Sequence, residues 1–272
     1  MEIRPILSAL MRSKTGAILV ALQVAISLAI LANALHIVNL RQAVANRPSG
    51  VENESTLIYA EVRHLRDTDH NAQLAEQKAE SAALRAVSGV VSVARVNQLP
   101  LTNSGWNTGV AADRKQVKSS ASTSQYVTPD SMVKTLGLKL VEGRDFRPEE
   151  VKEADSDKED DTPPNAVIVT RALAKKVWPN DSSYVGKTLY YGTGAEALAA
   201  PVVGVVETLQ SQSAQVEERG EFSAIIPERQ TNVGGGIYAM RVEAGQADRL
   251  MKEAEAALLR DAKDPLILRV KT

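Results

Sequence analysis

Between Gly16 and Leu40 the chain runs for 25 residues, GAILVALQVAISLAILANALHIVNL, without one Asp, Glu, Lys or Arg. Coiled as a helix, such a run spans roughly 37 Å at 1.5 Å per residue, enough to cross a hydrocarbon core of about 30 Å even when tilted. A membrane span over residues 16–40 is therefore expected. Arg4, Arg12 and Lys14 precede it, and this short basic flank predicts a cytoplasmic N-terminus with the remaining chain outside, in the periplasm or at the cell surface of a bacterium. A cleaved signal peptide is the competing reading, since Ala32-Asn33-Ala34 resembles a cleavage site. Against it, Leu35, Ile37, Val38 and Leu40 prolong the apolar run beyond the usual length.

The span carries its own pattern. Ala17, Ala21, Ala25 and Ala29 recur every four residues, a small-residue stripe that lets another helix approach closely, and Gln23 and Ser27 add polar groups disfavoured against lipid. These residues predict packing against other membrane helices. Upstream, within residues 1–15, Ile3, Ile6, Leu7, Leu10 and Met11 follow helical spacing between Arg4, Ser8 and Arg12. That segment is expected to lie at the cytoplasmic interface, with Ile6, Leu7, Leu10 and Met11 contacting a cytosolic partner; a plain extension of the membrane helix is the alternative.

The remainder reads as a folded, exported domain over residues 50–272. Its material is ordinary: in the whole chain 44% of residues are apolar and 24% charged, which excludes wholesale disorder and a multispan membrane protein. Lys and Arg number 32 against 33 Asp and Glu, so a nucleic-acid-coating role is excluded on charge. With no Cys, thiol catalysis, disulfides and thiolate metal sites are excluded as well.

Strands are expected over 55–63, 90–96, 106–112, 122–127, 165–170, 187–191, 201–208, 222–227, 236–243 and 266–270. Helices are expected over 72–87, from near Pro129 to Gly137, over 172–177 and over 246–259. Helices do not follow every strand, so a mixed α+β fold fits better than a doubly wound parallel sheet. The stretch Glu149–Pro164, EEVKEADSDKEDDTPP, has eight carboxylates against two lysines and is expected to be a solvated loop; Asp160 stands where a calcium loop needs glycine.

Catalytic motifs fail when checked. Gly186-Lys187-Thr188 resembles the end of a phosphate-binding loop, but Asp181 occupies the position of its first glycine. Gly192-x-Gly194-x-x-Ala197 is read as a hairpin or loop, because Pro201 arrives before a crossover helix can form. His36 is read as an interfacial polar contact, and His64 and His70, with Asp67 and Asp69, as a charged turn rather than metal ligands. No catalytic, cofactor-binding or metal-binding residue is assigned, and an enzyme is not expected.

In order along the chain stand Val87-Ser88-Gly89-Val90, Leu99-Pro100-Leu101 and Val127-Thr128-Pro129-Asp130-Ser131-Met132. Then come Leu136-Gly137-Leu138-Lys139-Leu140-Val141-Glu142-Gly143-Arg144-Asp145-Phe146 and Asn165-Ala166-Val167-Ile168-Val169. Val185-Gly186-Lys187-Thr188-Leu189 and Val202-Val203-Gly204-Val205-Val206 complete the set. Together with the basic N-terminus and the single long helix, this order resembles the MacB-like (FtsX-like) permeases of ABC transporters: their first membrane helix plus the MacB-like periplasmic core domain. Physically, Gly137 and Gly143 suit a helix end and a turn, Phe146 an anchor for that turn, and Gly204 a closely packed central strand.

The resemblance implies a porter-like α+β subdomain interrupted by a smaller inserted one, placed here at 126–222. It implies a noncatalytic permease in the bacterial inner membrane, driven by a separate ABC nucleotide-binding subunit and paired with a second permease subunit. A periplasmic adaptor or substrate protein is a further partner it allows, and no cofactor is expected. Family permeases return to the membrane and add three helices, so a chain ending at Thr272 is expected to be a fragment of one, with a degenerate one-span relative as the alternative. The alternative reading is a secreted or tethered periplasmic binding or adaptor module.

Overall fold

The uncharged run is helical without interruption from Lys14 to Ala45 (α1), with none of its residues buried. Among the described residues it is the one helix long and apolar enough to cross a membrane. The computed structural model describes residues 14–66, 68–102, 105–158, 162–213, 215, 217–231, 235–261 and 266–272. The chain divides into two compact units that part between Arg47 and Pro48.

In the second unit the elements are β1 (Leu57–His64), α2 (His70–Arg85), β2 (Val90–Val96), β3 (Asn107–Ala111) and β4 (Ala121–Thr128). They continue with α3 (Met132–Leu136), β5 (Leu140–Gly143), β6 (Lys152–Asp155), β7 (Val167–Thr170), α4 (Arg171–Val177) and β8 (Thr188–Tyr191). β9 (Leu198–Val206), β10 (Ser223–Thr231), β11 (Gly236–Val242), α5 (Ala247–Asp261) and β12 (Leu266–Lys271) complete the domain.

Four strands form one sheet in the order β12-β1-β11-β2, every pairing antiparallel. β1-α2-β2 and β11-α5-β12 are thus two interleaved split β-α-β units, each leaving room for a strand of the other. Everything between β2 and β11 is an insertion into this frame. The expected 126–222 segment lies inside that insertion, whose strands begin earlier, at Asn107, and end later, at Thr231.

The inserted strands form the second sheet, and its pairing returns on itself. Among the described residues, β4-β3-β8-β9-β7-β10 run side by side and β10 pairs again with β4, closing a ring, while β5 joins β9 and β6 joins β10. Closure removes the exposed edges that an open sheet would offer to other chains. Alternation along the strands then divides the apolar side chains. Val167, Val169 and Ala224 pack inside the ring with Leu173 and Trp178 of the α4 region. Ile168, Ile225 and Val206 point out of it, against Ala94, Val96 and Ala239 of the first sheet. That sheet's other face meets α2 and α5 through Leu84, Leu250, Ala254 and Leu258. The result is helices, sheet and ring in three layers, each boundary sealed by its own apolar cluster.

Two expectations need correction. Glu149–Pro164 is not wholly a solvated loop: Pro148–Glu150 forms a 3-10 turn and Lys152–Asp155 is a strand, parallel to β10. Its charge is met locally, by Arg144 on Glu150 and Lys78 on Glu153, and Ala154 is buried between them. Glu159 and Asp160 lie outside the described residues. The first strand begins at Leu57 rather than Ser55, because Asn53 turns the backbone with φ 47° and Glu54–Thr56 closes a 3-10 turn.

Candidate coupling site

Pro48 is the first residue of the folded unit after the long helix, and residues 48–56 are held there by three separate elements. The loop after β9 grips first. Gln210 donates its side-chain amide to the Pro48 carbonyl at 3.1 Å and its backbone N–H to the Ser49 carbonyl at 3.0 Å. Gly50, at φ +89°, lies so close to that loop that a Cβ there would stand 2.2 Å from the Thr208 carbonyl oxygen, so this contact requires glycine.

The second grip comes from α3, where the Glu52 N–H donates to the Leu136 carbonyl at 3.0 Å. Ser131 caps this helix by accepting from the Lys134 N–H at 3.0 Å, and Gly137 ends it in the left-handed conformation at φ 65°. The third is Arg241 on β11. Its Nε donates to the Thr135 carbonyl at 2.9 Å, Nη1 to Thr56 Oγ1 at 2.8 Å and Nη2 to the Glu52 carbonyl at 2.9 Å. A planar guanidinium offers donors in a fixed fork, so one side chain ties residues 48–56 (the stalk), α3 and the first sheet in a single geometry. Val51 packs on the apolar layer between sheet and ring.

The grip continues into the ring. Gln210 presents its carbonyl to the Tyr126 hydroxyl at 2.6 Å, and burial pushes that phenol's pKa far up, so it stays a neutral donor. Next to it, Gln98 donates to Ser124 Oγ at 2.7 Å, and Ser124 in turn donates to Gln212 Oε1 at 2.5 Å. These three side chains are buried and satisfied, which makes the 207–212 loop a rigid extension of β4.

The Leu136–Phe146 run supports the same region. Gly143 (φ +74°) presses on the Val203 carbonyl, where a Cβ would approach to 2.2 Å, and Gly204 likewise faces the Arg144 carbonyl at 2.4 Å. Arg144 then holds Glu150 through both guanidinium nitrogens, at 2.8 and 2.5 Å. These hydrogen bonds pull the Glu150 carboxyl down to about 2, outweighing the upward push of burial, and the Arg147 N–H adds to them.

Ala17, Ala21, Ala25 and Ala29 lie along α1, where Ala17 is half-buried and the others are exposed. At about 100° per residue the stripe drifts by about 40° per step, and Gln23 and Ser27 fall about 200° from its centre, on the opposite side of the helix. Stripe and polar pair cannot face one neighbour. Ile6, Leu7, Leu10 and Met11 lie outside the described residues, as does Asp67. His36 lies exposed on α1, whereas three others weighed in the sequence have structural partners: His64 Nε2 meets Glu80 Oε1 at 2.8 Å, His70 Nδ1 meets Thr231 Oγ1 at 2.8 Å, and Asp69 caps α2. Asp181, in the place of a phosphate-loop glycine, pairs with Lys187 at 2.8 Å. Sequence reasoning missed Gln210 and Arg241. A cation inside an otherwise apolar strand, and Gln210-Ser211-Gln212 a few residues after a Val-rich one, were the available signals.

A membrane-length helix leading into an α+β domain clasped at its entry defines an extramembrane domain of a membrane protein. The particular family follows from its sequence profile. The MacB-like periplasmic core domain profile matches residues 18–258, and the chain belongs to that family of ABC-transporter permease domains. Among solved structures, the extracellular domain of the ABC-type transporter YknZ from Gram-positive bacteria is similar at 14% identity and TM-score 0.45, covering 79% of this chain and 100% of its own. A permease-protein domain from Porphyromonas gingivalis is similar at 13% identity and TM-score 0.47, covering 81% and 92%. Comparison with curated proteins gives no match.

Proposed function

We propose that the protein is the permease component of an ABC transporter in a bacterial inner membrane, which converts ATP hydrolysis by a separate cytosolic subunit into movement of its periplasmic domain for export. The observation that supports this reading is the match to the MacB-like periplasmic core domain over residues 18–258, beside a membrane-length helix and an entry segment, residues 48–56, that Arg241 and Gln210 fasten to the first sheet and to the ring. The Ala17/Ala21/Ala25/Ala29 stripe packs against one membrane helix and Gln23 with Ser27 against another, as in a bundle shared with a second permease subunit. Ile6, Leu7, Leu10 and Met11 contact the nucleotide-binding subunit.

Purification of the native complex from membranes tests this. The expected result is an ATP-hydrolysing subunit recovered with the intact chain. Recovery of the chain free in solution, lacking its first 34 residues and any ATPase, would support the secreted binding module instead.

A further inference from the structure

A cavity of about 480 Å³ opens where α2 meets the junction of the first sheet and the ring, at the end of β1 away from the clasp. α2 bridges that junction: the Gln77 side-chain amide donates to the Gln230 carbonyl on β10 at 2.9 Å, and Lys78 pairs with Glu153 on β6 at 2.6 Å. The volume lies in the range of small-molecule sites, and junctions between substructures are where such sites concentrate.

Two lining side chains are more than nine-tenths buried and carry a polar atom with no partner. Arg95, 6% exposed, leaves Nε without an acceptor, and Gln77, 7% exposed, leaves Oε1 without a donor. Arg95 Nη2 reaches the Gly235 carbonyl at 3.4 Å, but among the described residues no carboxylate forms an ion pair with this guanidinium. Two nearby carboxylates are already engaged. Glu80 uses one oxygen on His64, at 2.8 Å, and the other on the Tyr238 hydroxyl. Asp130 takes Arg85 Nη2 at 2.6 Å and the Arg95 backbone N–H at 2.9 Å.

A second buried guanidinium, Arg229 on β10, leaves Nη1 unpartnered, and burial together with the Arg95 charge lowers its pKa while Asp130 opposes them. Among the described residues neither of these two buried guanidinium groups forms an ion pair, so the junction lacks an anion that would complete it. The rim is mixed, with Glu76 and Asp157 beside Arg66, which repels polyanions such as nucleotides.

We propose that this cavity binds a small solute bearing one carboxylate with an N–H donor beside it, the carboxylate on the Arg95 guanidinium and the N–H on Gln77 Oε1. Free amino acids and the C-terminal ends of peptides share that chemistry. The site goes beyond the coupling function and is tested without the ATPase.

Ligand-observed saturation-transfer NMR on the full chain in nanodiscs, with N-acetylglycine, glycine and N-acetylglycinamide as probes, decides it. Saturable binding of either carboxylate supports the site. N-acetylglycine alone points to peptide ends as the source, and glycine, alone or with it, to free amino acids. Arg95→Gln should weaken binding by about tenfold or more, and Gln77→Met by about threefold to tenfold. Should Arg95→Gln lose its cooperative melt, Gln77→Met carries the test. Absence of binding by both carboxylates, equal binding of N-acetylglycinamide, or unchanged binding in the folded variants would overturn the proposal.

Discussion

Glu52 and Gly137 lie in such close contact that a methyl group added to Gly137 would stand 2.7 Å from the Glu52 Cβ. Gly137 also holds φ 65°, a conformation that costs a residue with a Cβ roughly 1–2 kcal/mol. Gly137→Ala is therefore expected to destabilise the domain by about 2 kcal/mol and to loosen the stalk, lowering Tm by roughly 4–8 °C for a unit of this size. Thermal unfolding of the full chain in detergent measures it. An unchanged Tm would show that α3 does not brace the stalk.

Arg241→Ala removes three hydrogen bonds at once, and Arg241→Lys restores a charge without the fork. About 2 kcal/mol should be lost in the first and most of it still lost in the second. Amide exchange gives the sharper readout. The N–H groups of Glu52 and Thr56 should exchange faster in both variants, whereas those of Val167 and Val169, inside the ring, should not. Uniform acceleration would mean that Arg241 only supports overall stability.

Glu150 makes the brace sensitive to acid. Its carboxyl titrates at about 2 in the folded chain against an ordinary 4.5. A lowered folded pKa contributes stability that is complete above the unfolded value and is lost as pH falls from about 4.5 towards about 2. Glu150→Gln should therefore melt below the parent at pH 7, with the gap closing across that window. A gap that stays constant from pH 7 to pH 2 would contradict the ion pair with Arg144.

On α1, Ala21→Leu and Ala25→Leu should obstruct close helix approach and reduce crosslinking between neighbouring membrane helices, while Gln23→Leu, on the other face, should leave that contact in place. Equal crosslinking in all three variants would remove the stripe from the account.

Much of the fold was legible wherever local pattern and burial agree. The uncharged run could only be a long helix, Val90–Val96 is a strand at the expected residues, and Gly204 sits where closely packed backbone demands it. β5 and β6 were not legible. Leu140–Gly143 and Lys152–Asp155 are short and partly charged, and they are strands because β9 and β10 offer them backbone partners. Ring closure was invisible for the same reason, since pairing β4 with β10 is a choice between distant segments. The clasp was least legible of all. Ser49 and Gln210 meet through a backbone carbonyl and N–H that any sequence supplies, and only the fold gives the pair its meaning.

On the proposed function, ATP hydrolysis below the bilayer moves the domain through this clasp. The chain contains no Cys, and Val117 is 90% exposed on the β3–β4 loop, so Val117→Cys accepts a single spin label. Pulsed dipolar distances between labelled copies in the complex purified with its proposed ATPase test this directly. The distance distribution is expected to shift on ATP addition, and that shift to be lost when Arg241→Ala is combined with the label. Distances unchanged by ATP in the labelled parent complex, with hydrolysis intact, would contradict it.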